Sequence, residues 1–291
     1  MIASNGRLKI ALQKSGRLTD ESLALLRSCG LEFEFQKQSL YSPCRNFALD
    51  VLALRDDDIP EYVQDGVADL GIVGENVVAE RGARVKTLNR LGFGGCRLML
   101  SVPVRSSIRS LARLRGKRIA TTYPNTLKRF LRSHKLRCEV VELSGAVELA
   151  PTLDVADAIC DIVSTGTTAR VNGLRPLLTV LESESLLVAN PAALADKRKR
   201  ALVDRLLIRI SGSLQARGKR YIMLNAPVSA IPRLKKIIPA LKSPTIVPLA
   251  EEGMVALHSV IAEDVFWDVM EQLKSAGASG IIVVPIETII Q

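Results

Sequence analysis

The sequence predicts an α/β protein made of two lobes that form a cleft, followed by a compact ferredoxin-like tail. Three observations carry this reading. Short β-rich apolar runs alternate with helical patterns from the N-terminus. The alternation starts afresh after Pro103, and two later strands lead back towards the first half, so the chain crosses twice between its lobes. After Gly218 the order of elements becomes βαββαβ, the ferredoxin-like arrangement.

The elements follow in order. Leu8–Leu12 reads as the first strand, and Glu21–Cys29 as the helix after it, with Thr19 or Asp20 near its N-cap and Gly30 ending it. Asp50–Leu54 and Leu70–Val73 read as strands, each followed by a turn and a helix. Cys96–Val102 is an apolar run that stops at Pro103. In the second series Arg118–Thr122, Cys138–Leu143 and Ala158–Val163 are strands, with Thr126–His134 and Ala146–Leu149 as helices between them. Leu177–Leu181 and Ser185–Val188 are the returning strands, and one long helix runs from about Ala192 to Arg217. The tail has strands at Tyr221–Leu224, Thr245–Leu249, Val255–Ile261 and Ile281–Pro285, with helices at Ile231–Ile238 and Asp264–Ser275. The implied domains are 1–103, completed by about 182–217, then 104–181, then 218–291. No internal repeat or low-complexity stretch stands out.

Composition narrows the function classes. In 291 residues, 47% hydrophobic content supplies material for buried cores, and 4% aromatic content makes those cores aliphatic. Lys and Arg number 40 against 30 Asp and Glu, a formal charge of +10 that favours anionic partners. With few aromatics there is no stacking platform for single-stranded nucleic acid, so small phosphorylated ligands fit better. The densest basic run, Lys197–Arg200, reads as a solvated helix face. Five cysteines without a CxxC pair indicate neither a disulfide framework nor a zinc site, and suit buried thiols in a reducing cytosol. The start lacks the apolar core of a signal peptide, and no apolar run reaches membrane-spanning length. A soluble cytoplasmic protein is expected.

In open α/β sheets ligands bind beyond the carboxyl ends of strands, and the polar motifs fall there. Ala158–Val163 carries Asp161 and runs into Ser164-Thr165-Gly166-Thr167-Thr168, after which a helix can begin. Small residues let backbone N–H groups converge on an anion, hydroxyls add donors, and a helix N-terminus favours negative charge. An ordinary N-cap with spare hydroxyls is the alternative. Asp157 and Asp161 favour a phosphoribosyl group, since carboxylates accept hydrogen bonds from ribose hydroxyls. Gln13-Lys14-Ser15-Gly16-Arg17 follows the first strand, and its two cations flanking a glycine suit a pyrophosphate or triphosphate as well as they suit an exposed turn. Arg55-Asp56-Asp57-Asp58-Ile59-Pro60 reads as a helix start, with Arg55 at a strand end. Asp69-Leu70-Gly71-Ile72-Val73-Gly74 is a buried strand whose glycines permit either a ligand or tight packing. His134 and His258 lack metal-ligand spacing, and no nucleophile motif appears.

Together the motifs resemble one family. The segments Gln13–Leu18, Arg55–Pro60, Asp69–Asn76, Phe93–Leu98, Ala156–Asp161 and Ser164–Gly166 occur in this order in ATP phosphoribosyltransferase, and the tail segments Pro244–Ile246 and Lys274–Ala278 mark its long form. The resemblance implies periplasmic-binding-protein-like (type II) lobes and an ACT-like regulatory tail. It implies transfer of phosphoribose from phosphoribosyl pyrophosphate (PRPP) to N1 of ATP, with Mg2+, as the first step of histidine biosynthesis. It also implies a dimer–hexamer, inhibition by L-histidine, and neither a nucleic-acid nor a membrane partner. By residue it assigns PRPP to Glu148, Asp157, Asp161, Ser164, Thr165, Gly166, Thr167 and Thr168. ATP or pyrophosphate falls to Lys14, Gly16, Arg17, Arg55, Asp69, Gly74 and Tyr123. Histidine falls to Asn225, Thr245 and Gly280, with Asn225 standing where some relatives have an acid. No nucleophile, base or metal ligand is assigned. The rival readings are a non-catalytic type II solute-binding module and an amino-acid-responsive DNA-binding regulator, and the latter finds no convincing helix-turn-helix here.

Overall fold

A computed structural model of the chain describes residues 6–35, 39–163, 171–238 and 243–290. The loop Ser164–Thr168 therefore lies outside the described residues. The chain divides into two compact units, Met1–Ala24 with Leu31–Asp204, and Leu25–Gly30 with Arg205–Gln291. The first holds the sheets of both lobes, and the second holds the tail together with Leu25–Gly30 and Arg205–Arg217, which the sequence assigns to the first lobe.

The first lobe is built on β1 (Leu8–Gln13), β2 (Tyr41–Pro43), β3 (Leu49–Leu54), β4 (Leu70–Gly74) and β5 (Lys86–Arg90). Its helices are α1 (Thr19–Ser28), α2 (Ile59–Gln64) and α3 (Glu75–Arg81). The second lobe has β6 (Cys96–Pro103), β7 (Arg118–Thr121), β8 (Glu139–Glu142), β9 (Ala158–Val163) and β10 (Leu174–Ser183), with α4 (Pro124–Ser133). Then β11 (Ser185–Ala189) returns to the first sheet, giving the orders β2-β3-β1-β4-β11-β5 and β10-β6-β9-β7-β8. In the first sheet β1 runs parallel to β3 and β4; in the second, β7 runs parallel to β8 and β9. The run Cys96–Val102, assigned from sequence to the first lobe, pairs antiparallel with β9 and β10, so that boundary moves back before β6.

A repeated device sets the register in both lobes, although no repeat was expected. Val67-Ala68-Asp69 precedes β4 and Val155-Ala156-Asp157 precedes β9, each after a residue with positive φ, Gly66 at 75° and Asp154 at 56°. Each aspartate binds the backbone of the neighbouring parallel strand twice. Asp69 N–H donates to Lys9 O at 2.9 Å, and its carboxylate accepts Lys9 N–H at 2.9 Å. Asp157 does the same with Arg118, at 2.9 and 2.8 Å.

Past β11 the expected long helix is two, α5 (Pro191–Ala195) and α6 (Lys197–Ala216). Asp196 separates them: its backbone is extended, and its carboxylate accepts the N–H groups of Arg198 and Lys199 at 2.8 and 2.9 Å, as an N-cap does. The basic run is also not wholly solvated, because Lys199 Nζ reaches the buried Asp69 at 2.7 Å. Ala146–Leu149 is a single 3-10 turn, Val147–Leu149.

The tail carries β12 (Lys219–Pro227), α7 (Ile231–Ile237), β13 (Thr245–Pro248), β14 (Met254–Ala262), α8 (Glu263–Ser275) and β15 (Ser279–Pro285). Its antiparallel sheet has the order β13-β14-β12-β15, as the ferredoxin-like fold requires. Ile222, Leu224 and Leu257 point to one side and pack with Leu234, Phe266 and Leu273 of the helices, an aliphatic core of its own. Among the described residues no helix is long and apolar enough to cross a membrane.

Candidate active site

The parallel strands β1, β3 and β4 end together, whereas β7 ends level with Cys160 and β9 runs on to Val163, which sets two groups of polar turns at strand ends. Lys14 and Arg55 are neighbours in the first group, since Gln13 pairs with Leu54 and Lys14 N–H donates to Leu54 O at 2.7 Å. Gly16 sits at φ 136°, and a methyl group there would meet Gln13 Nε2 at 2.4 Å. That glycine lets Gln13 fold back and accept Leu18 N–H at 3.0 Å, closing the turn that carries Lys14 and Arg17. Arg17 donates to the carbonyl oxygens of Gly94 and Gly95 and lies 3.5 Å from Cys96 Sγ, at the start of β6.

In the second group Thr121 ends β7. Its hydroxyl donates to Cys160 O at 2.6 Å and accepts Tyr123 N–H at 2.9 Å, turning Tyr123 away from the strand. Tyr123 OH then accepts from Asn76 Nδ2 at 3.1 Å, across to the first lobe. Asn76 is itself fixed, its N–H and Oδ1 both bonded at 2.9 Å to Ser183 Oγ at the end of β10. Burial pushes the Tyr123 phenol up to about 12; the bond from Asn76 opposes that, and the charges of the Asp161 and Asp56 carboxylates add to it. One phenol thus feels a carboxylate from each lobe.

Those two carboxylates are themselves perturbed. Burial raises the Asp161 pKa above the usual carboxylate range, the Ile162 N–H bond lowers it, and Glu148 raises it further. Burial likewise raises Asp56, with Asp57 adding and Arg17 opposing, and Asp56 Oδ1 is buried without a hydrogen-bond partner. In the sequence Asp56 reads as part of a helix start, and neither Asn76 nor Ser183 carries a signal of its own. Beside the crossing strands lies a cavity of about 340 Å3 lined by Cys96, Arg97, Val163 and Ser183 among others. Val163 is the last described residue before Ser164.

The structure brings Lys14, Gly16, Arg17, Arg55, Gly74 and Tyr123 to the strand ends, with Asp161 and, through its charge, Glu148. It does not bring Asp69 or Asp157, which stand at the opposite, amino-terminal ends of β4 and β9. Both are consumed by strand register and by cations, Lys199 at 2.7 Å and Arg118 Nε at 3.5 Å. Gly71 is bare for packing, since a methyl there would meet Ile59 and Val63 of α2 at 2.8 and 2.9 Å. In the tail Asn225 and Gly280 adjoin, whereas Thr245 lies on the far edge strand, paired with His258.

Fold and site define the class: a two-lobed α/β protein with a polar cleft between its lobes and a ferredoxin-like domain after them. The family model for ATP phosphoribosyltransferase matches residues 55–212, and the model described as "HisG, C-terminal domain" matches 216–288. An ATP phosphoribosyltransferase of Cytophaga hutchinsonii is 48% identical over 284 residues, covering 98% of this chain and 99% of the relative. Among solved structures, the ATP phosphoribosyl transferase (HisG:HisZ) complex from Thermotoga maritima superposes with a TM-score of 0.61 at 30% identity, covering 70% of this chain and 96% of that one. A weaker likeness is to the alkanesulfonate-binding protein SsuA of Xanthomonas axonopodis, with a TM-score of 0.46, 19% identity and coverage of 73% and 75%. The chain belongs to the ATP phosphoribosyltransferase family, transferases of histidine biosynthesis.

Proposed function

We propose that the chain transfers the phosphoribosyl group of PRPP to N1 of ATP, releasing pyrophosphate, as the first step of histidine biosynthesis. The observation that carries the site is the hydrogen bond from Asn76 Nδ2 to Tyr123 OH at 3.1 Å, which joins the turn after β4 in the first lobe to the turn after β7 in the second. The two sets of strand ends therefore share one space, basic on one side and acidic on the other.

In this reading adenine N1 attacks C1 of the ribose, the C1–O bond to pyrophosphate breaks, and the electron pair leaves with the pyrophosphate. The protein's work is positioning and electrostatics, with no covalent intermediate. Lys14, Arg17 and Arg55 hold the phosphates of ATP and the departing pyrophosphate. Asp161 and Glu148 face the ribose, where they accept from its hydroxyls and favour the positive charge that develops at C1. Ser164, Thr165, Gly166, Thr167 and Thr168 follow directly on β9 and hold the 5-phosphate. Asp157 and Asp69 are left out of the site.

Mg2+ ordinarily binds through substrate phosphates with one or two carboxylates, and in this reading Asp161 and Glu148 would supply them. When bound it neutralises the leaving pyrophosphate. The tail is read as the site of inhibition by L-histidine, with Asn225 and Gly280 as its nearest pair. The working form is read as a cytoplasmic homo-oligomer, a dimer that can become a hexamer. The test is release of pyrophosphate from PRPP that depends on ATP and Mg2+.

A further inference from the structure

Two side chains on one face of α3 reach the second lobe. Asn76 meets Tyr123 at 3.1 Å, and one turn later Glu80 accepts the backbone N–H groups of Asn125 and Thr126, each at 2.8 Å. Residues four apart lie about 6 Å from each other along a helix axis. A single contact leaves the lobes free to pivot about it, whereas two contacts spaced along the helix fix an angle. The seam is reinforced by Asn125 Nδ2 donating to Glu80 O at 3.3 Å and by Arg129, which donates to Ala79 O and to Thr126 Oγ1.

Glu80 does for α4 what an N-cap side chain does, but from another lobe. Tyr123, at the cap position of α4, makes no side-chain cap bond, and the first turn of α4 holds no acid. The free N–H groups and partial positive charge of that end are met by the Glu80 carboxylate. A helix N-terminus after a parallel strand is also where a phosphate would settle. Glu80 fills this one. The same turn carries Tyr123 into the cleft.

We infer that Glu80 is a positioning residue that latches the two lobes at the angle at which ATP and PRPP bind together. This rests on the function proposed above. Without the latch the lobes populate open arrangements, and the apparent affinity for every ligand spanning the cleft falls by the fraction that remains closed.

The test compares Glu80→Ala and Glu80→Gln with the parent enzyme in steady-state kinetics and small-angle scattering. Glu80→Ala is expected to raise KM for ATP and for PRPP by a common factor of about 2- to 30-fold, with kcat within about 2-fold of the parent. Glu80→Gln, which keeps one carbonyl acceptor, falls between. Substrate-free Glu80→Ala should scatter with a larger radius of gyration. Unchanged KM values with only a lower melting temperature would reduce Glu80 to a structural role and overturn the inference, as would a shift in one KM alone, a fall in kcat at constant KM, or superimposable scattering curves. If Glu80→Ala does not fold, Glu80→Gln and Arg129→Met carry the same comparison. A parent enzyme without turnover would instead defeat the proposed reaction, and scattering would still decide the latch.

Discussion

Asp161 shows how one residue's surroundings turn into a measurable property. Its carboxyl is held above the usual range mainly by burial. In the unfolded chain an aspartate releases its proton near pH 4, so as pH rises from there the unfolded state ionises first and folding stability declines through the raised pKa. Asp161→Asn, which keeps an oxygen to accept Ile162 N–H, is therefore expected to melt higher than the parent at pH 7, with the difference vanishing below about pH 4. Thermal unfolding across that range checks it, and PRPP binding should weaken in the same variant. Within the loop that follows, Thr165→Val combined with Gly166→Val removes a hydroxyl and blocks backbone approach. KM for PRPP should rise by about 10- to 100-fold, read from initial rates. Residue chemistry was legible in the sequence as far as type and strand, but not as to which end of a strand. Asp157 reads like a ribose ligand, and Asp69 like part of the ATP site, because a carboxylate beside an apolar run looks alike at either end. Only their bonds to Lys9 and Arg118 show that they serve register instead.

At the scale of elements, most strands and helices, though not the short and partly exposed β2 and β5, were legible because their apolar periodicities are local. Partnership was not. Cys96–Pro103 is as apolar as a first-lobe strand should be, yet it pairs with β9 and β10, more than 60 residues away in sequence at Leu98–Ile162. The Asn76–Tyr123 bond joins positions 47 apart in different lobes, so neither residue signals the other. The long helix was broken by one capping aspartate, a signal present in the sequence but outweighed by the helical pattern around it. Packing of α2 on β4 gives a direct check on an element. Because a methyl at position 71 would meet Ile59 and Val63 below normal contact distance, Gly71→Ala should destabilise the fold by about 1–3 kcal/mol in denaturant titration. KM values for the surviving folded protein should stay near the parent's, since Gly71 faces α2 and not the cleft.

At the scale of the whole molecule, the two lobes and the tail were legible from the order of elements alone, and the tail's βαββαβ order folds into the expected sheet. The tail also has its own core, in which Ile222, Leu224, Leu257, Phe266 and Leu273 bury one another. Removing residues after Gly218 takes away that core and uncovers Gly212 of α6, whose carbonyl accepts Ile289 N–H at 3.0 Å. The truncated protein is expected to lose inhibition by L-histidine in a pyrophosphate-release assay; inhibition that persists would locate the effector elsewhere. The central claim is that the cleft joins ATP to PRPP, and one measurement meets it most directly. Purified full-length protein, given PRPP, ATP and Mg2+, should release one pyrophosphate for each N1-(5-phosphoribosyl)-ATP formed, and release should cease when either substrate is omitted. No release from well-folded protein at any Mg2+ concentration would contradict the account.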